Sequence, residues 1–186
     1  FYVFKHEGIP SRPAVQNSEF SQAVRHQFMG PLWKYEKNDL CNTEYPFPGA
    51  EDLAWWFCMK SDDRPPTILL LGNSHANHLY PGFAMNPAFS HHTILSIGTC
   101  AVGVDGHRAE ARNPCSGERV AQQKKFIDDL LAAEPTIRHV VIGGIRPSGE
   151  KQYVTRVVNR IKPLSEKGYR IIIFYPHLEA QFYPKA

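Results

Sequence analysis

The strongest structural signal in this 186-residue chain is the stretch Thr67-Ile68-Leu69-Leu70-Leu71-Gly72-Asn73-Ser74-His75. Its largely apolar run, residues 67–71, follows two prolines and ends at Gly72, a pattern typical of a strand buried on both faces. Gly72 permits a tight turn from this strand into a helix. Parallel sheets bind ligands outside the carboxyl ends of their strands, so Ser74 is predicted to lie where ligands bind.

Strands and helices alternate after this stretch. The pattern predicts further strands at residues 93–97, 139–142 and 169–175, and helices at residues 74–80, at 116–133 and around 154–161. In the last helix, Val154, Val157, Val158 and Ile161 recur at the spacing of one apolar face. Such alternation predicts an α/β fold of three α/β/α layers around a central, mostly parallel sheet.

The first part of the chain has a different character. Residues 1–66 are rich in proline and tryptophan and show one plausible helix, at residues 18–28. We expect residues 1–66 to form a lead-in packed on the core, with residues 62–66 as a linker, and residues 67–186 to form the α/β domain. The chain begins at Phe1 and not at methionine, so we expect it to be part of a longer or processed product.

Composition excludes several classes of protein. Hydrophobic residues make up 42% and charged residues 21% of the chain, as in a compact globular domain. Its longest apolar runs, residues 67–71 and 171–175, are too short for a membrane-spanning helix. The 21 Lys and Arg against 18 Asp and Glu give a net charge of +3, which predicts no nucleic-acid partner.

Four cysteines, Cys41, Cys58, Cys100 and Cys115, form no Cys-x-x-Cys motif, which argues against a zinc site. Two disulfides are favoured, which would place the domain in an oxidising compartment such as a periplasm. Of the three possible pairings, 41–58 with 100–115 closes the two shortest loops. The alternative is four reduced, buried cysteines.

Three strand ends carry candidate chemistry. Ser74 could act as a nucleophile whose own N–H helps to hold an oxyanion, or simply as a helix N-cap. Gly98, after the next strand, could supply a second oxyanion donor or only a turn. Arg146, after Gly143-Gly144, could face an anionic or carbonyl oxygen, or be a solvated loop charge.

Residues 69–76, Leu-Leu-Leu-Gly-Asn-Ser-His-Ala, resemble the first block of the SGNH (GDSL-like) hydrolase superfamily. More narrowly, they resemble the SGNH domain fused to the C-terminus of acyltransferase-3 membrane proteins, where the block usually has Gly-Asp-Ser-His-Ala. The resemblance extends to the placement of the four cysteines and to three further stretches: Gly8-Ile9-Pro10-Ser11-Arg12, Ser96-Ile97-Gly98-Thr99-Cys100 and Phe174-Tyr175-Pro176.

This resemblance implies an SGNH-type O-acyltransferase in which Ser74 is the nucleophile and the N–H groups of Ser74 and Gly98 bind the oxyanion. The acyl group, expected to be acetyl, would pass from a membrane domain on the same chain to Ser74, and then to a hydroxyl of O-antigen, lipooligosaccharide or peptidoglycan. Acetyl-CoA is expected at the membrane domain, and neither a cofactor nor a metal in this one. The domain would be periplasmic and tethered to the inner membrane.

The chain departs from the family pattern at three points. Asn73 replaces the usual Asp, a change that keeps the shape of the side chain but removes its charge. Asn73 is therefore expected to be only a weak contributor to the oxyanion site. The third block of the superfamily carries an Asn that donates to the oxyanion, and no Asn lies near residues 143–146. Arg146 or a backbone N–H would have to take the place of that donor. The Asp-x-x-His pair is absent before Ala186 and is expected downstream. His177 is a weak candidate base, because no Asp lies three residues before it.

The remaining histidines and the alternative functions follow from the same residues. His75 and His78 are expected to be structural or to face the substrate, and His91-His92 to form a solvated turn. A secreted carbohydrate esterase would use the same serine with water as the acceptor. A binding module that has lost catalysis is the third possibility, favoured by Asn73 and by the absent Asp-x-x-His pair.

Overall fold

Five strands form one sheet in the computed structural model of the chain, which describes residues 35–106, 111–146 and 148–174. The strands are β1 (Cys58–Lys60), β2 (Ile68–Leu71), β3 (Ile94–Ile97), β4 (His139–Ile142) and β5 (Arg170–Ile173). Their order is β1-β3-β2-β4-β5, with β1 antiparallel to β3 and every other pair parallel. The predicted α/β class and mostly parallel sheet are confirmed.

Helices cover both faces of this sheet. They are α1 (Asp39–Glu44), α2 (Ser74–Asn77), α3 (Tyr80–Ala84), α4 (Arg119–Ala133) and α5 (Lys151–Glu166), with short 3-10 turns at Ala50–Asp52 and Pro87–Phe89. Among the described residues, no helix is long and apolar enough to cross a bilayer. The predicted helix at residues 116–133 begins three residues later than expected.

The alternation of side chains along β2 builds two separate cores. Ile68 and Leu70 pack with Tyr80 on the face covered by α2 and α3. Leu69 and Leu71 pack on the opposite face, where Ile127 is one of the residues contributed by α4. All four residues of β2 are buried, as the apolar run predicts. The strand thus holds the two outer layers to the sheet.

The buried face of α5 differs from the predicted one. Val154 and Val158 are 46% and 49% exposed, whereas Tyr153, Val157 and Leu164 are buried. The helix packs against β5, the edge strand of the described sheet, so only a narrow stripe of its surface reaches the core. Of the four predicted positions, Val157 is buried and Ile161 packs against the core, so the spacing identified the helix and half of its contact face.

Residues before the expected linker supply a strand that the sequence analysis missed. The side chain of Asn38 donates to the Lys60 carbonyl at 2.8 Å and accepts from the Cys41 N–H at 3.0 Å, joining α1 to β1. The Lys60 ammonium is fully buried and pairs with the Glu44 carboxylate. The sheet therefore begins at Cys58 and not at residue 67, because these contacts pin a short segment along β3.

Both disulfides of the shortest-loop pairing are present. Cys41 bonds Cys58 across 17 residues, and Cys100 bonds Cys115 across 15. The first ties α1 to β1, and the second closes a loop after β3. The alternative of four reduced cysteines is wrong for this structure.

Removing the first disulfide tests how strongly it holds the β1 edge. We expect Cys41→Ser/Cys58→Ser to lower the free energy of unfolding by about 3 kcal/mol, because opening a loop of this length restores entropy to the unfolded chain. Urea denaturation measures the loss. The Cys100→Ser/Cys115→Ser pair is the matched comparison, and an unchanged urea midpoint in the first variant would contradict the role assigned to this bond.

A carboxylate closes the amino end of the sheet. Asp62 accepts a hydrogen bond from the Thr93 hydroxyl at 2.7 Å and forms an ion pair with the Arg64 guanidinium at 2.6 Å. The hydrogen bond from Arg64 is the main cause that lowers the pKa of Asp62 to about 2, and Thr93 adds to it against the opposing effect of burial. Asp62 thus favours its charged form in the folded chain.

This pKa gives a pH dependence with a definite sign. A depressed carboxyl pKa adds stability above the ordinary value of 3.8, and that stability is lost as the pH falls toward 2. We expect Asp62→Asn to cost less than about 1 kcal/mol at pH 6, since the group is partly exposed, and the cost to vanish near pH 2. Urea denaturation at both pH values measures it. Asp63→Asn is the control, and a cost that persists at pH 2 would refute the assignment.

Candidate functional site

The carboxyl ends of β2, β3 and β4 meet at one edge of the sheet. Gly72-Asn73-Ser74 follows β2, Gly98 follows β3, and Gly143-Gly144 follows β4. The parallel register of these strands brings together three of the positions that the sequence singled out.

Glycines let the turn after β2 press against the backbone after β4. Gly72 has φ +149°, and a Cβ there would lie 2.2 Å from the Gly143 carbonyl oxygen. Gly144 has φ +75°, and a Cβ there would lie 2.0 Å from Asn73 Oδ1. At both positions any other residue would meet a steric clash and a strained backbone. The Gly72 backbone thus packs on the Gly143 backbone, and the Asn73 side chain packs on the Gly144 backbone. These contacts fix the position of Asn73 and of the serine after it.

Asn73, and not Ser74, caps helix α2. The Asn73 side chain accepts a hydrogen bond from the His75 N–H at 3.0 Å, and its carbonyl accepts from the Ala76 N–H at 2.9 Å. The possibility that Ser74 serves as the N-cap is wrong. Within the described ranges, neither the hydroxyl nor the N–H of half-buried Ser74 makes a hydrogen bond. Both groups remain available to a ligand.

Asn77 anchors α2 and was missed by the sequence analysis. It is 5% exposed, accepts a hydrogen bond from the Ser96 hydroxyl at 2.9 Å, and donates to the Tyr35 carbonyl at 2.6 Å. Removing one partner of a buried polar pair costs ~1–3 kcal/mol. Its only sequence signal is a serine inside the otherwise apolar strand β3. The pair holds the helix that begins at Ser74 against the sheet.

Gly98 reaches the same edge, but its N–H is already engaged. It has φ +89°, and its N–H donates to the Phe57 carbonyl at 3.1 Å, extending the pairing of β1 with β3. The next N–H, from Thr99, donates to Gln123 Oε1 at 3.2 Å. An oxyanion role for Gly98 therefore requires that its bond to Phe57 opens.

Arg146 lies beside Tyr153 at the start of α5. Its backbone N–H donates to the Tyr153 hydroxyl at 3.0 Å, and its guanidinium lies 4.5 Å from the centre of that ring. The guanidinium also pairs with Glu150 at 3.1 Å. These contacts hold Arg146 in place; they do not bring its side chain into a hydrogen bond with Ser74 or Asn73.

A cleft of about 480 Å³ opens next to Asn73. One wall is the loop closed by the Cys100–Cys115 disulfide, and the other is the segment from Gly144 to α5. Its lining includes Asn73, Gly103, Asp105, Asn113, Gly144, Arg146, Tyr153 and Arg156. The amide, carboxylate and guanidinium groups in this lining are planar and can donate or accept hydrogen bonds in pairs, as a polyhydroxyl ligand requires.

No histidine of the described residues is in position to act as a base on Ser74. His75 and His78 are exposed; the His78 backbone N–H donates to the Ser74 carbonyl at 2.8 Å, but neither imidazole ring hydrogen-bonds to the Ser74 hydroxyl. His177 lies outside the described residues, as do Gly8–Arg12 and the predicted helix at residues 18–28. The described ranges contain no group of three His, Cys, Asp or Glu side chains placed to hold a metal ion.

The expected solvated turn at His91-His92 is solvated only in part. His91 is exposed, but His92 is half-buried and its Nδ1 lies 2.9 Å from the Thr67 hydroxyl. Burial is the main cause that lowers the pKa of His92, and the neighbouring His91, His139 and Arg64 add to it. This group lies at the amino end of the sheet, opposite Ser74.

Comparison with known proteins gives one match. A family model described as "SGNH domain (fused to AT3 domains)" matches residues 40–185. Neither the curated proteins nor the solved structures contain a match to the chain.

Substituting Gly144 tests whether backbone contact positions the turn. We expect Gly144→Ala to lower the free energy of unfolding by roughly 2–4 kcal/mol, because the new Cβ is strained at positive φ and collides with Asn73. Thermal or urea denaturation measures the change. Gly149→Ala is the matched control, since a Cβ there has open space around it. Equal stability of the two variants would contradict the proposed contact.

Proposed function

Because the chain belongs to the family of SGNH domains that are fused to AT3 domains, we propose that Ser74 carries an acyl group from a membrane-bound donor to a glycan hydroxyl. One observation carries this proposal. Ser74 lies at the carboxyl ends of the parallel strands with its hydroxyl and its N–H both free within the described ranges. A nucleophile needs the first group free, and an oxyanion needs the second.

The chemistry consists of two acyl transfers. In the first, Ser74 Oγ attacks the carbonyl carbon of the acyl donor, an ester bond forms, and the donor's leaving group departs with the serine proton. In the second, a glycan hydroxyl oxygen attacks the same carbon, the serine ester bond breaks, and the hydroxyl proton returns to Ser74. The products are an acylated glycan and the free serine.

The developing negative charge would be held by N–H groups at the sheet edge. The Ser74 N–H is the first donor, and one such donor contributes ~3–4 kcal/mol to transition-state stabilisation in known enzymes. Gly98 would be the second donor if its bond to the Phe57 carbonyl opens on substrate binding. Asn73 and Arg146 are the weaker candidates, since the cap and the contacts with Tyr153 occupy their side chains.

The general base is assigned to a histidine outside the described residues. His177 is the candidate for this role. Serine nucleophiles of this type need a histidine to accept the hydroxyl proton and an acidic group to orient that histidine.

The donor, the acceptor and the location follow the fusion that names the family. We place the acyl donor acetyl-CoA at an acyltransferase-3 membrane domain on the same chain, and the SGNH domain in the periplasm, tethered to the inner membrane. O-antigen, lipooligosaccharide and peptidoglycan are the candidate acceptors. The two disulfides support an oxidising compartment.

A catalytically inactive glycan-binding module is the second candidate. It is favoured by the absence, in the described ranges, of any imidazole or carboxylate hydrogen-bonded to the Ser74 hydroxyl. An esterase would perform the same first step and use water in the second.

Hydrolysis of p-nitrophenyl acetate by the full-length protein tests the serine. We expect Ser74→Ala to lower kcat/KM by at least about 10³-fold, because no other group forms the ester intermediate. Ser165→Ala, which changes an exposed serine at the far end of α5, is the control and retains full activity. Mass spectrometry should find an acetyl group on Ser74 after a short exposure to the ester.

Two results would decide against acyl transfer. Equal rates for the protein and its Ser74→Ala variant would favour the binding module. A labelled serine whose acetyl group passes to water but never to an added glycan would favour the esterase.

A further inference from the structure

Among the described residues, those lining the cleft beside Asn73 carry one positive charge that they do not neutralise themselves. Three described ionised side chains line it: Asp105, Arg146 and Arg156. Asp105 pairs with Arg156 at 3.2 Å, and the Nε of Arg156 also donates to the Gly103 carbonyl at 3.0 Å. This pair fixes one wall of the cleft and cancels its own charge, so Arg146 is left as the surplus cation.

Arg146 is held in a fixed orientation by a buried ring. Tyr153 is only 4% exposed; the Arg146 guanidinium stacks over this ring, and the Arg146 backbone N–H donates to the Tyr153 hydroxyl. A guanidinium that is oriented before a ligand arrives loses little freedom on binding a carboxylate through two parallel hydrogen bonds. The ring therefore prepares Arg146 to bind an anion.

The protein anion that pairs with Arg146 can be displaced. Glu150 and Arg146 are 52% and 57% exposed in their side chains, and ion pairs of this kind contribute little to stability. A ligand carboxylate that also fills the cleft can replace Glu150. The pair of Glu44 with Lys60 differs, because the Lys60 ammonium is fully buried and a ligand cannot reach it.

We propose that this cleft binds an acidic saccharide, with the sugar carboxylate on Arg146 and the ring hydroxyls on the planar polar side chains of the walls. The cleft begins at Asn73, next to Ser74, so the bound sugar would present a hydroxyl near the serine. The assignment of that sugar as the acyl acceptor rests on the acyl transfer proposed above. Binding of the acidic sugar does not depend on it.

The test compares an acidic sugar with its methyl ester, in which each carboxylate is replaced by an uncharged ester group. Isothermal titration calorimetry of the full-length protein carrying Ser74→Ala measures binding of trigalacturonic acid and of its methyl ester at constant ionic strength. We expect the acid to bind at least tenfold more tightly than the ester. An equal concentration of inorganic phosphate should not displace it, because phosphate makes no contacts with the cleft walls.

Variants locate the preference at one side chain. Arg146→Gln should remove the preference for the acid, and Arg146→Lys should keep part of it, because lysine retains the charge but not the planar fork. Glu150→Gln should tighten binding of the acid, because it removes the competing carboxylate. Arg170→Gln is the matched control: Arg170 is exposed at the amino end of β5, whereas Arg146 follows the carboxyl end of β4. This variant should leave the preference unchanged.

Three outcomes would overturn the inference: equal affinity for acid and ester, a preference that survives Arg146→Gln in a variant with unchanged thermal stability, or full displacement by phosphate. The acyl-transfer proposal fails separately. Loss of Ser74-dependent hydrolysis with retained acid binding would leave the cleft assignment standing, and the reverse pattern would leave the nucleophile standing.

Discussion

Close packing of two backbones, the turn after β2 against the segment after β4, is the constraint on which the candidate site depends. Gly72 and Gly144 lack the side chains that would hold the two segments apart, and both adopt a positive φ. Asn73 sits directly on Gly144 as a result and is placed to cap α2. Because the asparagine meets the need of the helix terminus, the serine that follows is left with an unused hydroxyl and an unused N–H.

The rest of the site is built around that serine by polar contacts that cross the sheet layers. The side-chain amide of Asn77 accepts a hydrogen bond from Ser96 and donates one to Tyr35. These two bonds hold the short helix α2 in a single position, although a helix of this length would not be stable alone. The Cys100–Cys115 disulfide shapes the loop that faces α5. This loop and α5 form the two walls of the cleft beside Asn73, and the proposed acyl acceptor would have to be oriented between them.

Strand β1 links the stability of the sheet edge to the chemistry. The Cys41–Cys58 disulfide and Asn38 hold β1 against β3, and the residue before β1, Phe57, supplies the carbonyl that takes the Gly98 N–H. The proposed second oxyanion donor, the Gly98 N–H, is thereby tied to the packing of β1 against β3. Movement of β1 would release that N–H, whereas a rigid edge would leave Ser74 with a different second donor.

The sequence by itself determined the α/β class, the four parallel strands, the disulfide pairing as the shortest-loop choice, and the position of Ser74 at a strand end. These follow from local physics, since apolar runs, glycines and chain separation act over a few residues. Tertiary structure alone decided the rest. Strand β1 has only three residues and no period, so it exists because Asn38 and Cys41 pin it to β3. The engaged N–H of Gly98 and the anchor at Asn77 join residues far apart in the chain, which no local pattern can encode.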